Sequence, residues 1–188
     1  MILRIVVTMA IVLGLMSTLG ACTKAIYVAP TSTTAPMQDL REMFVSGFIA
    51  THNSMADADK LQPEAANAAT GGLYAAAVEK MTEADMDAQK AFISIPSDVL
   101  SEMQKQNTGV SEGKVVDLLS ARITSFMDGA EHFLKAMRYV QQGDVSGHNQ
   151  EADLANAAFA KSWQSEYALQ DLVKTDANLS YLRQAVGW

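Results

Sequence analysis

The sequence predicts an all-α protein: an up-and-down helical bundle of about four main helices with short extra helices, after an N-terminal tether expected to be flexible. Three observations lead there. Apolar residues recur at steps of three and four over long stretches, the period of a helix with one buried face. Sustained alternation of apolar and polar residues, the mark of a half-buried strand, is missing throughout. Glycine, proline and asparagine punctuate the helical stretches at spacings that suit short connections between antiparallel helices.

Pro36 suits the first turn of a helix, and Leu40, Phe44, Gly47, Phe48, Thr51 and Met55 carry the period to about Lys60. Gly47 on that face marks a close helix crossing. Pro63 is read as the opening of a second segment, rich in alanine and running to Phe92 with a kink at Gly71-Gly72. Two adjacent glycines cost a helix about 2 kcal/mol relative to alanine. Pro96 stops that segment. Ser97 or Asp98 can cap a short helix through Gln106, ended by Asn107-Thr108-Gly109.

The strongest signal follows Ser111. Val115, Leu119, Ile123, Phe126, Ala130, Phe133 and Met137 form a nearly unbroken apolar face, interrupted by the single arginine Arg122, and the helix should end at Gly143. Gln142 to Ser146 form a hinge. Beyond it Leu154, Ala155, Ala158, Phe159, Ser162, Trp163, Tyr167, Leu169, Gln170 and Val173 continue the helical spacing, so these two long helices are expected to pair as an antiparallel hairpin. Asp176 can cap a last short helix holding Leu179, Tyr181, Leu182 and Val186.

Residues 1–21 read differently. Arg4 supplies one positive charge, an apolar run extends from Ile5 to about Met16, and Ser17 and Thr18 follow, the layout of an export signal. The run closes on Leu19-Gly20-Ala21-Cys22, and Cys22 is the one cysteine of the chain. These four residues resemble the lipobox of bacterial lipoproteins. The resemblance implies cleavage between Ala21 and Cys22, diacylglycerol on the Cys22 thiol and an N-acyl lipid on the new amine. The competing reading is an uncleaved membrane helix from Ile2 to Ala21 with Cys22 at its end by coincidence. Thr23, where an aspartate would favour the inner membrane, implies by the same resemblance an outer-membrane lipoprotein facing the periplasm in a bacterium with two membranes.

The predicted organisation is therefore a cleaved signal over 1–21, a lipidated Cys22 and tether over 22–35, and one helical domain over 36–188. In the tether, Pro30 and the run Thr31 to Thr34 oppose regular structure, while Ile26, Tyr27 and Val28 are apolar enough to lie among lipid headgroups or against the domain. Without Arg4 the processed chain carries 13 Lys and Arg against 21 Asp and Glu, a formal balance of −8. No basic stripe is present, so nucleic acid is not an expected partner.

Site chemistry is sparse. His148 and Glu151 stand one helical turn apart, a spacing that can hold a metal. The stretch departs from the Gly-x-His-x-x-Glu motif of imelysin-like periplasmic proteins, since Gly147 falls one place late. The simpler reading makes His148 a solvated hinge residue and gives Glu151 to the helix dipole. His52 and His132 could converge if their helices were neighbours, but no Glu-x-x-His pair accompanies them, and exposed polar faces are the simpler expectation for both. Glu79, Glu83 and Asp87, with Asp85, form an acidic face without the pattern of a calcium loop. The eight methionines after the leader lack Met-x-x-Met clustering and read as core filler. No nucleophile elbow or phosphate loop is present.

The expectation is thus a lipid-anchored envelope protein whose helical domain binds a protein partner, not an enzyme, with no metal and no cofactor beyond the lipid on Cys22. A bundle that holds an apolar small molecule, haem or metal, with a cavity among Phe126, Phe133, Phe159 and Trp163, is the alternative. An enzyme without a recognisable motif comes third.

Overall fold

A computed structural model describes residues 35–188. The predicted leader, the lipobox and the tether up to Thr34 lie outside the described residues. The remainder is all-helical: α1 Met37–Thr70, α2 Tyr74–Ser94, α3 Ser97–Lys105, α4 Val110–Gln142 and α5 Val145–Thr175, then a 3-10 turn Ala177–Leu179 and α6 Ser180–Val186. Two antiparallel hairpins, α1/α2 and α4/α5, pack together chiefly through α2 against α4.

The first hairpin differs from expectation. Helix α1 does not stop near Lys60 but runs through Pro63 to Thr70. A proline inside a helix removes the bond to the carbonyl four residues back, here that of Asp59. Pro63 faces solvent, and Ala58 and Ala65 on either side of it are fully buried against α2, so packing along one continuous face outweighs the lost bond. The break comes at Gly71-Gly72 instead, where the Leu73 amide donates to the Ala68 carbonyl at 2.8 Å. Helix α2 buries Ala77, Met81, Ala84, Ala88 and Ala91 at heptad spacing, and the four alanines among them let α1 lie close. The close approach at Gly47 is to the turn between α2 and α3 rather than to a crossing helix: a Cβ there would fall 2.8 Å from the Pro96 Cβ.

Helix α3 starts after Pro96 without a side-chain cap from Ser97 or Asp98. Helix α4 ends as predicted at Gly143, whose φ of 73° is open to glycine at no steric cost. The Asp144 carboxylate then accepts from the Gly147 amide at 2.9 Å and starts α5. Asp176 likewise caps the last turn, accepting from the Asn178 amide at 2.9 Å.

The core has two main layers. Near the α1 N-terminus, Phe44, Phe48, Met103, Leu119, Leu169 and Leu182 close together. In the middle, Met55, Met81, Ile123, Phe126 and Phe159 do so, with the Phe126 and Phe159 rings edge to face at 5.3 Å. Each buried ring contributes roughly 1.5–3 kcal/mol. The fourth side of the bundle is wide, since no Cα of α1 comes within 8 Å of any Cα of α5. Among the described residues no helix is long and apolar enough to cross a membrane.

Candidate functional site

The wide seam between α1 and α5 holds the buried polar chemistry. Arg122 projects from α4 into it with its side chain 3% exposed. Its Nη2 donates to Oδ2 of Asp59 on α1 at 2.5 Å. Its Nη1 stands 2.7 Å from Oε2 of Glu166 on α5, which is also 3% exposed. This second contact is an ion pair by distance without the alignment of a hydrogen bond. The Gln170 amide donates to the other Glu166 oxygen at 2.7 Å. Two carboxylates against one guanidinium leave a formal charge of −1 inside the seam.

About two turns before Asp59 on α1 lies His52. Its ring stacks on Phe48 at 6.3 Å and meets the edge of Trp188 at 5.3 Å, and its buried Nδ1 has no hydrogen-bond partner in the described residues. Burial lowers the affinity of His52 for a proton, the nearby Arg122 charge adds to the effect, and Glu166 opposes it. Burial also raises Asp59 above the usual carboxylate range, against the pull of Arg122.

The other histidines behave differently from expectation. Glu151 does not face His148; its Oε2 lies 2.6 Å from Nδ1 of His132, joining α5 to α4. The His148 Nδ1 lies instead 3.2 Å from the Ala136 carbonyl. His52 and His132 do not converge, since His52 neighbours Arg122 and His132 lies about 15 Å further along α4. All three rings are half-buried, which corrects the expectation of exposed polar-face positions and of a solvated His148. Among the described residues no three His, Cys, Asp or Glu side chains gather in metal-binding geometry.

The four aromatics proposed as one cavity wall do not meet. Phe126 and Phe159 pack on each other, Phe133 lies nearer the hairpin tips, and Trp163 points outward beside Tyr167, which is 65% exposed. The expected acidic face on α2 is mixed in sign: Lys80 meets Glu64 at 3.1 Å and Lys90 meets Asp87 at 2.6 Å. Asp59 and Glu166 are the participants that sequence reading missed. The signal for Glu166 was present, since it continues the face of Phe159, Ser162, Leu169 and Val173, opposite an arginine that cannot be buried alone.

No family model, no curated protein and no solved structure matches the chain. The ionic cluster has the geometry of a clasp between three helices. It holds α1 and α5 at fixed register on α4 across a gap too wide for backbone contact.

Proposed function

We propose that this chain is a bacterial lipoprotein, anchored in the cell envelope by lipid on Cys22, whose helical domain acts by binding another envelope protein. The observation that carries the reading is the position of the sole cysteine, at the last residue of Leu19-Gly20-Ala21-Cys22 and directly after an apolar leader. Each buried methylene contributes about 0.8 kcal/mol to membrane attachment, so two or three acyl chains hold a domain stably where one does not. A tether confines the domain near the membrane and raises its effective concentration for partners there.

The bundle surface supports the second half. Trp163 and Tyr167 stand outward one turn apart on α5, and Leu73 and Ile93 are 64% and 83% exposed at the ends of α2 and its turn. Large exposed aromatics are the anchors that protein interfaces favour.

The test has two arms. Cys22→Ser should abolish labelling by radioactive palmitate and leave an unprocessed precursor or a soluble product; a normally processed, membrane-retained variant refutes the anchor. Crosslinking in intact cells should capture one reproducible protein partner, lost with Trp163→Ser and Tyr167→Ser together. Capture unchanged by that pair, or turnover of a substrate by the purified protein, refutes the interaction reading.

A further inference from the structure

The wide seam between α1 and α5 opens, near the two hairpin tips, into a hollow of about 270 Å³. Phe133 and Met137 of α4 line it beneath, Ala69 of α1 and Ala152 of α5 line its sides, and Thr70, Tyr74, His148 and Asn156 contribute its polar groups, the Thr70 hydroxyl donating to the Ala66 carbonyl at 2.9 Å. Unlike three other hollows of similar size, which include Arg41, Glu112 or several lysines and carboxylates, this one has no charged residue in its lining. Interiors normally fill such space with side chains. Here the helices on either side stay apart and present alanine.

The polar groups sit at the open side of the hollow: Tyr74 and Asn156 are exposed and His148 half-buried. The Tyr74 hydroxyl, the Asn156 amide and the His148 Nε2 make no hydrogen bond among the described residues, while the His148 Nδ1 is engaged by the Ala136 carbonyl at 3.2 Å. A carbonyl only accepts, so Nδ1 carries a proton, and in that neutral tautomer Nε2 is an acceptor. An apolar hollow with a few convergent polar groups is the usual form of a small-molecule site.

We propose that this hollow binds an uncharged alcohol of about ten non-hydrogen atoms, scaling from the 150 Å³ cavity that holds benzene. The apolar body lies over Phe133 and Met137 between the alanines, and the hydroxyl donates to His148 Nε2 while accepting from the Asn156 amide. A carboxylate or ammonium head finds no opposite charge in the lining and would lose its hydration uncompensated. The proposal is independent of the lipid anchor and of any protein partner.

The experiment uses the full chain in its membrane and an eight-carbon alcohol carrying a diazirine. After illumination, labelled peptides should map to the segments around Ala69, Phe133 and Ala152. An excess of 1-octanol should suppress labelling at least tenfold, and equal octanoate or octylammonium should not. Ala152→Leu, which fills the hollow from α5, should reduce labelling about tenfold with helix content unchanged. Ala69→Leu fills it from the opposite wall and serves if the first variant fails to fold. Asn156→Ala should weaken competition by 1-octanol several-fold. Labelling spread evenly over the domain, competition by octanoate as strong as by 1-octanol, or full labelling in folded Ala152→Leu and Ala69→Leu overturns the proposal.

Discussion

Arg122 of α4 and Glu166 of α5 approach to 2.7 Å inside the wide seam between α1 and α5, each with a side chain only 3% exposed. Asp59 holds the other side of the guanidinium at 2.5 Å. A buried pair of this kind adds little net stability, because desolvation of the ions offsets their attraction. Removing one member is another matter, for it strands the rest without a counter-charge. Arg122→Met should therefore cost about 3–5 kcal/mol, while Arg122→Met combined with Asp59→Asn and Glu166→Gln should recover much of that loss. Urea denaturation of the single and triple variants checks the order; a triple variant no more stable than Arg122→Met would refute the clasp.

The same seam predicts an acid sensitivity. Burial makes folded His52 a weaker base than its ordinary value of 6.5, so its contribution to stability is present above pH 6.5 and lost as pH falls through the lower folded value. Asp59 works in the opposite sense: its raised value contributes stability below 3.8 that is lost as pH rises through the folded value. The two effects are opposite in sign, and the interval from pH 7 to 6 brackets the ordinary histidine value, where the loss from His52 begins. Thermal unfolding of the wild type should shift down over that interval, and the shift should shrink in His52→Gln. Equal shifts in the two proteins would remove His52 as the cause.

How much of this was legible depends on how local each cause is. The face of α4 could be read because its apolar residues keep one period from Val115 to Met137, and its end because Gly143 sits where a left-handed residue is needed. Pro63 was misread as a start because its cost is local, whereas what overrides it, the burial of Ala58 and Ala65 against α2, is tertiary. On α5, counting apolar residues drew Trp163 and Tyr167 into the core and left Glu166 out. The buried face in fact runs Phe159, Ser162, Glu166, Leu169 and Val173. Arg122 announced that a carboxylate was needed, but its partners sit on two other helices, and nothing in the linear sequence says which carboxylates those helices bring to it.

Tyr181 provides a third prediction. Its hydroxyl donates to Oε1 of Glu112 at 2.7 Å, and Glu112 is 4% exposed. Burial first, then the hydrogen bond to that carboxylate, hold the phenol protonated far above its ordinary value of 10.0. Stability from this group is present below pH 10 and lost as the unfolded chain ionises in alkali. In a titration followed at 295 nm, one tyrosine's share of the absorbance change should appear only as helix circular dichroism is lost, and Tyr181→Phe should abolish that delayed step. The same substitution strands a buried carboxylate and should cost about 1–3 kcal/mol.

Two glycines on α4 should respond to alanine with opposite signs. Alanine in a helix interior is favoured over glycine by about 1 kcal/mol, and both Gly113 and Gly129 lie within the helix. At Gly113 an added Cβ meets nothing within 4 Å, so Gly113→Ala should raise stability by roughly 0.5–1 kcal/mol. At Gly129 the same atom would lie 2.7 Å from two carbons of the Phe159 ring, closer than real contacts allow. That ring is packed edge to face on Phe126 and is only 6% exposed, so it has little room to give way. Overpacking of this kind costs about 1–3 kcal/mol and should exceed the gain in helix propensity. Gly129→Ala is therefore expected to unfold at lower urea concentration than the wild type and Gly113→Ala at higher. If Phe159→Leu, which shortens the opposing side chain, does not soften the effect of Gly129→Ala in a double-mutant cycle, the loss does not come from this contact.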